Sequence, residues 1–357
     1  MSTVPPVAPA SSGEQHILIS SPNRAWVLGR RPQQQVAVED FAYRADIGLP
    51  GALAHNEVFV RNRIFSCAPT IRNWLNPPGQ SYRGSIDIGE PIRGLVGAEV
   101  IESRHPAYAA GDLVTAIAPW QDFAVLAPDR AAVPVTRMEP GIGLIDAMSL
   151  FSSNSLTAYA GLVKVGQAKA GDTVLVSGAA GSVGAMACQI ARNLDCRVIG
   201  IAGGSEKCGW LQETCGIEAV DYKSGDLAGQ IAELCPGGVD LFFDNVGGAV
   251  LDAAVDAMAP FGRIVVSGQI SAYDGGEFAR GPDMMKIVYG RLKIQGFLVG
   301  DHASDYPTIW QALRKWSDAG RLIARVDRRE GFSRLPSAFV DLFCGGNQGT
   351  LLVENAN

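Results

Sequence analysis

The chain has few of the residues that a metal centre or a disulfide framework needs. Its 357 residues include four histidines, His16, His55, His105 and His302, and none has a metal-binding partner at short spacing. The seven cysteines form no C-x-x-C pair, and an odd count in a chain of this length does not describe a disulfide framework. We therefore expect no metal site, and a reducing, cytoplasmic location.

Long basic runs and long apolar runs are missing as well. Thirty Lys and Arg oppose 36 Asp and Glu, and no basic run could follow a nucleic-acid backbone. No stretch reaches the ~18 apolar residues of a membrane span. The start, MSTVPPVAPASSGEQ, has neither the basic nor the apolar region of a signal peptide. We expect neither nucleic acid nor membrane as a partner, and a disordered tail over residues 1–15.

What is present describes a globular α/β protein of two domains. The chain is 47% hydrophobic and exceeds the length usual for one domain. Residues 16–150 contain short β-rich runs cut by Gly and Pro, which predict a β-rich, barrel-like domain. The runs are EVFVRN (57–62), IRGLVGAEVIES (92–103), DLVTAIA (112–118) and DFAVLA (122–127).

Residues 151–320 change to an alternation of strands and helices, which predicts a parallel sheet. The strands TVLVSG, CRVIGI, VDLFFD and GRIVVSG are separated by helices that begin near Gly181, Ser205 and Gly248. The nearly continuous apolar character of TVLV and VDLFF is typical of strands that are covered on both faces. Residues 321–357 return to short strands and a helix, as expected of chain that rejoins the first domain.

The segment VLVSGAAGSVG (174–184) runs from a strand through a glycine turn into a helix, the context that a dinucleotide motif requires. Against G-x-G-x-x-G its three positions are Ala179, Gly181 and Gly184. Gly181 lets the backbone approach a pyrophosphate, Gly184 lets helix and strand pack closely, and the helix N-terminus offers free N–H groups. We predict a dinucleotide site here; a glycine turn without a ligand is the alternative.

The end of the next strand favours NADP over NAD. NAD sites place Asp or Glu there for the ribose hydroxyls, whereas this strand ends Ile201-Ala202-Gly203-Gly204-Ser205. Lys207 follows, and it would attract a 2′-phosphate. Glu206 weakens the inference, because its carboxylate could turn inward.

An ordered series of further motifs resembles the zinc-independent medium-chain dehydrogenase/reductases, in the branch of prostaglandin, alkenal and plant double-bond reductases. The series is GSEK (204–207), DYK (221–223), FDNVGG (243–248), GQISAYD (268–274) and GFLV (296–299). The resemblance implies a GroES-like β domain, completed by the C-terminus, and a Rossmann domain. Where zinc-bearing relatives read Gly-His-Glu, this chain reads Gly94-Leu95-Val96, and only Cys67 falls near a ligand position.

The resemblance also implies NADP(H) contacts, residue by residue. The turn Ala180, Gly181, Ser182, Val183 and Gly184 would hold the pyrophosphate. Lys207 and Tyr222, with Gly203 alongside, would hold the adenosine phosphate. The nicotinamide half would be surrounded by Asn245, Gly268, Gln269, Ile270, Ser271, Tyr273, Phe297, Leu298 and Val299, with Asn347 reaching it from the C-terminal segment.

The activity implied is NADPH-dependent reduction of an α,β-unsaturated carbonyl compound, with hydride added to the β-carbon and a proton to the α-carbon. Without zinc, the carbonyl oxygen needs a hydrogen-bond donor. Tyr273 is our candidate, because a phenol stays protonated at neutral pH, and Tyr289 is the reserve. The alternative is that Tyr273 packs against the cofactor and donates no hydrogen bond to the substrate. An NADPH quinone reductase and a cofactor-binding protein with little turnover are the alternative functions.

Two further expectations rest on the resemblance. The family commonly reads Asp-Pro-Tyr-Met-Arg where this chain reads Ala68-Pro69-Thr70-Ile71-Arg72. Thr70 and Arg72 are therefore predicted in the substrate pocket, where the smaller Thr70 leaves room for a bulkier substrate. The strand LKIQGFLV (292–299) is predicted to pair across a two-fold axis in a homodimer.

Overall fold

The computed structural model describes residues 22–80, 84–275 and 281–355, so the predicted tail lies outside the described residues. The strands are β1 (Ala25–Leu28), β2 (Phe41–Arg44), β3 (Val58–Ser66), β4 (Arg93–Ser103), β5 (Leu113–Pro119), β6 (Phe123–Leu126), β7 (Thr136–Arg137), β8 (Thr173–Ser177), β9 (Arg197–Ala202), β10 (Glu218–Asp221), β11 (Val239–Asp244), β12 (Met258–Val266), β13 (Lys293–Gly296), β14 (Val326–Glu330) and β15 (Thr350–Glu354).

The α-helices are α1 (Thr70–Trp74), α2 (Leu144–Met148), α3 (Ser153–Tyr159), α4 (Ser182–Asn193), α5 (Ser205–Gly209), α6 (Leu227–Leu234), α7 (Gly248–Asp256), α8 (Ile270–Tyr273), α9 (Met284–Gly290), α10 (Tyr306–Asp318) and α11 (Leu335–Asp341). α3 and α5 continue as π-helical turns, Ala160–Val165 and Trp210–Thr214. Among the helices of the described ranges, none is long and apolar enough to cross a membrane.

A six-stranded sheet carries the predicted βαβ alternation. Its order is β10-β9-β8-β11-β12-β13, and every pairing is parallel. The central strands β8 and β11 are buried almost throughout, which confirms that both faces of the sheet are covered. The chain moves outward from β8 in one direction and from β11 in the other. The crevice at their carboxyl ends is therefore the switch point where such sheets bind ligands.

A seven-stranded sheet contains β3 to β7 and the two C-terminal strands, while β1 and β2 pair with each other in a separate two-stranded sheet. β14, β15, β3, β4, β5 and β7 follow one another, and β6 pairs with β3. β15 lies between β14 and β3, so the C-terminal strands share a sheet with strands of the first half. Aromatic packing also joins the C-terminal segment to the first half. The ring of Phe339 on α11 lies 5.9 Å from those of Phe41 and Trp120.

Strand β3 is longer than the predicted run at 57–62, because it continues to Ser66. The polar residues Arg61, Asn62 and Arg63 interrupt its apolar pattern. Asn62 is nevertheless fully buried. Its Nδ2 donates to the carbonyl oxygens of Pro119 (3.2 Å) and Gln121 (2.7 Å). Both hydrogens of the buried Nδ2 group thus have acceptors, which is compatible with a core strand.

The segment predicted as the strand 292–299 is shorter in the structure. β13 covers only Lys293–Gly296 and is the last strand in the order of its sheet, paired with β12. All four of its residues are exposed. The helix α10 is amphipathic, with Ile309 and Leu313 fully buried.

Candidate active site

The glycine turn lies between β8 and α4. Gly178 has φ +59°, and Gly181 caps α4 from an extended conformation. The first amide to close a turn of this helix is that of Ala185, which donates to the Gly181 carbonyl oxygen at 2.9 Å. The N–H groups of residues 182–184 are thus those that an α-helix leaves without intrahelical acceptors, and no side chain caps this N-terminus. The turn can accept an anion on these amides.

Two glycines set the close packing of this turn. A Cβ on Gly184 would overlap the carbonyl group of Gly178, so the helix can approach the strand only with glycine at this position. A Cβ on Gly200 of β9 would come within 2.7 Å of the Ala179 Cβ. Ala179 can therefore replace the first glycine of the motif because Gly200 makes room for its methyl group. The sequence reasoning did not identify Gly200.

At the end of β9, the nearest carboxylate is used by the backbone. Asp221 at the end of β10 accepts hydrogen bonds from the N–H groups of Gly204 (2.8 Å) and Lys223 (2.9 Å). The hydrogen bond from Gly204 is the largest cause that holds the pKa of Asp221 below its usual range, and the hydrogen bond from Lys223 is the next. Glu206 forms an ion pair with Arg325 at 3.3 Å, and its side chain is 74% exposed. Both carboxylates near this strand end have partners other than a ribose.

Basic side chains gather around Lys207. The Lys207 Nζ donates to the carbonyl oxygen of Gly345 at 3.0 Å, and the Lys223 Nζ lies 6.0 Å from the centre of the Tyr222 ring. Partial burial, and then the charges of Lys223 and Arg325, lower the pKa of Lys207. We call Lys207, Tyr222, Lys223 and Arg325 the basic cluster. The sequence indicated only Lys207 and Tyr222, because Arg325 arrives from the C-terminal segment.

The ends of β8 and β11 are joined by polar contacts. The Ser177 hydroxyl donates to Asp244 Oδ1 (2.7 Å) and accepts from the Asn245 N–H (2.8 Å). The Asn245 Nδ2 donates to the Ser177 carbonyl oxygen at 2.8 Å. Burial raises the pKa of Asp244, against hydrogen bonds from Gly247 and Val246 that favour its charged form. This network fixes the orientation of the Asn245 amide at the crevice.

The GQISAYD segment docks on this network and carries Tyr273. The N–H groups of Ile270 and Ser271 donate to the carbonyl oxygens of Asn245 and Val246, both at 3.2 Å. The single turn α8 then brings the Tyr273 hydroxyl back to the start of the segment. There it accepts the N–H of Gln269 at 3.3 Å. A Cβ on Gly268 would lie 3.2 Å from the hydroxyl oxygen, so this oxygen lies beside Gly268.

The other predicted cofactor residues occupy two places. Phe297 packs beside Gly161 and lies 6.3 Å, ring to ring, from His302, while Val299 accepts a hydrogen bond from the Tyr306 hydroxyl (3.1 Å). Leu298 is 54% exposed. The Asn347 Nδ2 donates to Gly349 at 2.8 Å. The loop that carries Asn347 meets Lys207 through Gly345, so it approaches the basic cluster.

The predicted substrate residues lie on α1. Thr70 begins this helix and is partly buried. The Arg72 Nε donates at 3.0 Å to Oδ1 of Asp274, the residue immediately after α8. The end of α8 is therefore in direct contact with α1. The reserve donor Tyr289 lies on α9 and is 71% exposed, which favours Tyr273.

Metal ligands do not gather in this region. Across residues 22–80, 84–275 and 281–355, no three His, Cys, Asp or Glu side chains form a group that could hold a metal ion. Cys67, near a ligand position of zinc-bearing relatives, is buried, and burial raises the pKa of its thiol. A protonated, buried thiol is a poor metal ligand.

Comparison with known proteins agrees with this geometry. Residues 182–315 match the family model for zinc-binding dehydrogenases, and residues 24–134 match that for the N-terminal domain of oxidoreductases. The NADPH-dependent curcumin reductase of Escherichia coli K12 is 32% identical over 343 residues, which cover 94% of this chain and 97% of that protein. The NADP-dependent 2-alkenal reductase of Nicotiana tabacum is 34% identical over 300 residues, or 84% and 87% of the two chains.

The crystal structure of CurA from Vibrio vulnificus in complex with NADPH superposes with a TM-score of 0.86. It has 33% sequence identity and covers 94% of this chain and 99% of that one. Matches of this length and identity, together with the glycine turn and the basic cluster, establish the family. The chain belongs to the zinc-independent medium-chain dehydrogenase/reductases, in their branch of NADP-dependent double-bond reductases.

Proposed function

We propose that the protein is an NADPH-dependent reductase of the activated carbon–carbon double bond of enones and enals. The observation that carries this proposal is the position of Tyr273. Its hydroxyl oxygen lies beside Gly268 and accepts the Gln269 N–H, on the segment that docks at the carboxyl end of β11, which supports a role as hydrogen-bond donor to a carbonyl oxygen. Relatives named as curcumin, 2-alkenal and prostaglandin reductases support the same class of substrate.

The residues present fit NADP(H). The amides of residues 182–184 and the positive end of α4 suit the pyrophosphate. The basic cluster suits the 2′-phosphate, because its three cations would pair with a group that carries about two negative charges. NADPH, when bound, supplies the hydride that the β-carbon receives. The loop at Asn347 would close on the cofactor through Lys207.

Tyr273 supplies the electrostatic part of the reaction. Its phenol oxygen accepts the Gln269 N–H, and this hydrogen bond favours donation of its own proton outward. Hydride addition moves negative charge onto the carbonyl oxygen of the substrate, where the Tyr273 O–H stabilises it. The α-carbon then takes up a proton to complete the saturated ketone or aldehyde. A fixed donor of this kind is worth about 10²- to 10³-fold in rate.

Thr70 borders the substrate side of the crevice in this proposal. Its side chain is smaller than the aromatic residue common in the family, and it adds a hydroxyl. We expect the pocket to accept bulkier enones than simple alkenals.

We further propose that the protein forms a homodimer through β13. In the described residues β13 is an edge strand, the last one in the six-stranded sheet. Around it lie the exposed apolar residues Met284 (64%), Val288 (59%), Tyr289 (71%), Ile294 (41%) and Leu298 (54%). Apolar side chains beside an open strand edge favour pairing with a second copy.

The domain boundaries proposed from the sequence are 16–150 with 321–357, and 151–320. This division is supported by the two large sheets, because β3 to β7 share one sheet with β14 and β15, whereas β8 to β13 form the other. The seven cysteines are all free thiols, which supports the proposed cytoplasmic location.

The test is a comparison of Tyr273→Phe and Tyr289→Phe by NADPH oxidation with an enone and with a quinone. We expect Tyr273→Phe to lower kcat on the enone about 100-fold, without changing NADPH binding. Tyr43→Phe, at an exposed tyrosine that packs on Trp26, is the control. Faster turnover of the quinone, or NADPH binding without turnover of a broad enone panel, would contradict the proposal. Loss of activity in Tyr289→Phe alone would assign the donor role to Tyr289.

A further inference from the structure

Arg72 and Asp274 are 202 residues apart in sequence and form an ion pair between α1 and the end of α8. The Arg72 Nε lies 3.0 Å from Asp274 Oδ1, and the two side chains are only 6% and 9% exposed. The other Arg72 nitrogens donate to Asn76 Oδ1 at 2.7 Å and to the Gln34 carbonyl oxygen at 2.9 Å. The guanidinium is thus committed to protein partners, so Arg72 does not serve as a free cation in a substrate pocket.

Asp274 also holds the chain segment before β2. Its Oδ1 accepts the N–H of Val36 at 2.6 Å. Next to it, Gly275 has φ +72°, and a Cβ there would lie 3.1 Å from the carbonyl carbon of Gln34. The end of α8 is therefore packed on the first half of the chain at two points, residues 34–36 and α1.

The start of α8 is attached elsewhere, at the carboxyl end of β11. There Ile270 and Ser271 donate to the carbonyl oxygens of Asn245 and Val246, and the Ser271 hydroxyl donates to Val246 at 2.6 Å. A helix of four residues has no stability of its own. The position of Tyr273, its last residue, therefore depends on both attachments.

We propose that Arg72 and Asp274 are positioning residues that hold the Tyr273 hydroxyl at its distance from α1. This inference rests on the proposed function of Tyr273. Thr70 lies on the same helix as Arg72, so one ion pair sets the separation between the substrate side of the crevice and the hydrogen-bond donor. A displacement of about 1 Å in such an arrangement costs about 100-fold in rate.

A double-mutant cycle tests the inference, with Tyr273→Phe, Asp274→Asn and the double variant assayed on an enone at saturating NADPH. Asp274→Asn keeps the shape of the side chain but removes its charge. We expect it to lower kcat about 10-fold in the native background and to have no further effect in the Tyr273→Phe background. Such non-additivity is the mark of residues that act through one another. KM for NADPH should change less than about 2-fold, since the cofactor contacts remain.

Arg72→Lys, combined with Tyr273→Phe, gives the equivalent double-mutant cycle for Arg72. This variant keeps the buried positive charge that Asp274 needs. It should lower kcat by a smaller factor, because an ammonium cannot reproduce the guanidinium's fork of contacts. Arg263→Met is the matched control. It removes a second ion pair of low exposure, Arg263 Nη2 with Asp172 Oδ2 at 2.6 Å. Asp172 directly precedes β8, whereas α8 is attached at the carboxyl end of β11, so this variant should lower the melting temperature while leaving kcat unchanged.

Multiplicative losses of kcat in the double variant would overturn the inference, because they would assign the ion pair a general structural role. An unchanged kcat in both Asp274→Asn and Arg72→Lys would overturn it as well. The Tyr273→Phe single variant reports separately on the proposed function. If it retains full activity while Asp274→Asn loses activity, both the donor role of Tyr273 and the positioning inference fail.

Discussion

The ring of Tyr222 lies directly against Gly203. A Cβ built on Gly203 would come within 2.7 Å of the Tyr222 Cε1 and 2.8 Å of its hydroxyl oxygen. Glycine at the end of β9 thus lets the tyrosine stand beside Lys207 and Lys223 in the basic cluster. In the proposed NADPH site, selectivity for a phosphorylated ribose therefore depends on the missing side chain of Gly203 as well as on charges.

Gly203→Ala should push Tyr222 out of this position and weaken NADPH binding. We expect the dissociation constant to rise about 10-fold, equivalent to about 1.4 kcal/mol, with little change for NADH. Fluorescence titration with both nucleotides measures it. Gly48→Ala, at a glycine with nothing within 4 Å of its Cβ position, should leave both constants unchanged. Equal losses for NADH and NADPH would contradict the assignment of this cluster to the 2′-phosphate.

Lys207 predicts a pH dependence of cofactor binding. Burial, Lys223 and Arg325 lower its pKa, and a lysine loses its charge as the pH rises through its pKa. NADPH affinity should therefore fall on the alkaline side at a lower pH than an ordinary lysine would give, while NADH affinity stays level. Titrations between about pH 7 and about pH 10 would show the fall. Lys207→Arg keeps its charge over this range, so an unchanged fall in that variant would rule out Lys207 as its origin.

Gly184→Ala should destabilise the protein. The new methyl group would overlap the Gly178 carbonyl group, and overpacking of this kind costs about 1–3 kcal/mol. The free energy of unfolding in urea measures the change. Gly209→Ala is a contrasting control on α5, where the nearest atom to the new Cβ lies 3.9 Å away, and it should stabilise the helix slightly. An unaltered midpoint in Gly184→Ala would show that the turn can relax.

The sequence predicted the parallel sheet and the glycine turn, which the structure contains, while the role of Tyr273 stays a prediction. These features depend on local patterns: apolar runs, a turn motif and an ordered series of short segments. The continuation of β3 was missed because Asn62 interrupts the apolar alternation, and its burial depends on carbonyl groups nearly 60 residues away. The partners of Arg72 and the arrival of Arg325 beside Lys207 depend on tertiary contacts that no local pattern encodes.

Thr70→Tyr should narrow the substrate range. An aromatic ring at the start of α1 would fill space on the substrate side of the crevice, so kcat/KM for a bulky enone should fall about 10-fold relative to that for a small enal. This ratio corresponds to about 1.4 kcal/mol of lost transition-state binding. Steady-state kinetics with a matched pair of substrates measures it. Unchanged selectivity would remove Thr70 from the pocket.

Ile294→Lys should dissociate the proposed homodimer. It places a charge on the β13 edge, a common device against strand pairing. Sedimentation velocity would then show a monomer. Ile101→Lys, at a comparably exposed isoleucine (39%) on β4, should leave the assembly intact. A native protein that already sediments as a monomer would contradict the proposal outright.

The place of β15 in the seven-stranded sheet has a consequence for synthesis of the chain. Leu352 pairs with Ser66, and Val353 with Phe65, so the inner strand β3 lacks one neighbour until β15 has been made. The six-stranded sheet contains only β8 to β13 and has all its strands earlier. On the ribosome the nucleotide-binding half can therefore fold first. The seven-stranded sheet is completed only after β15 leaves the exit tunnel.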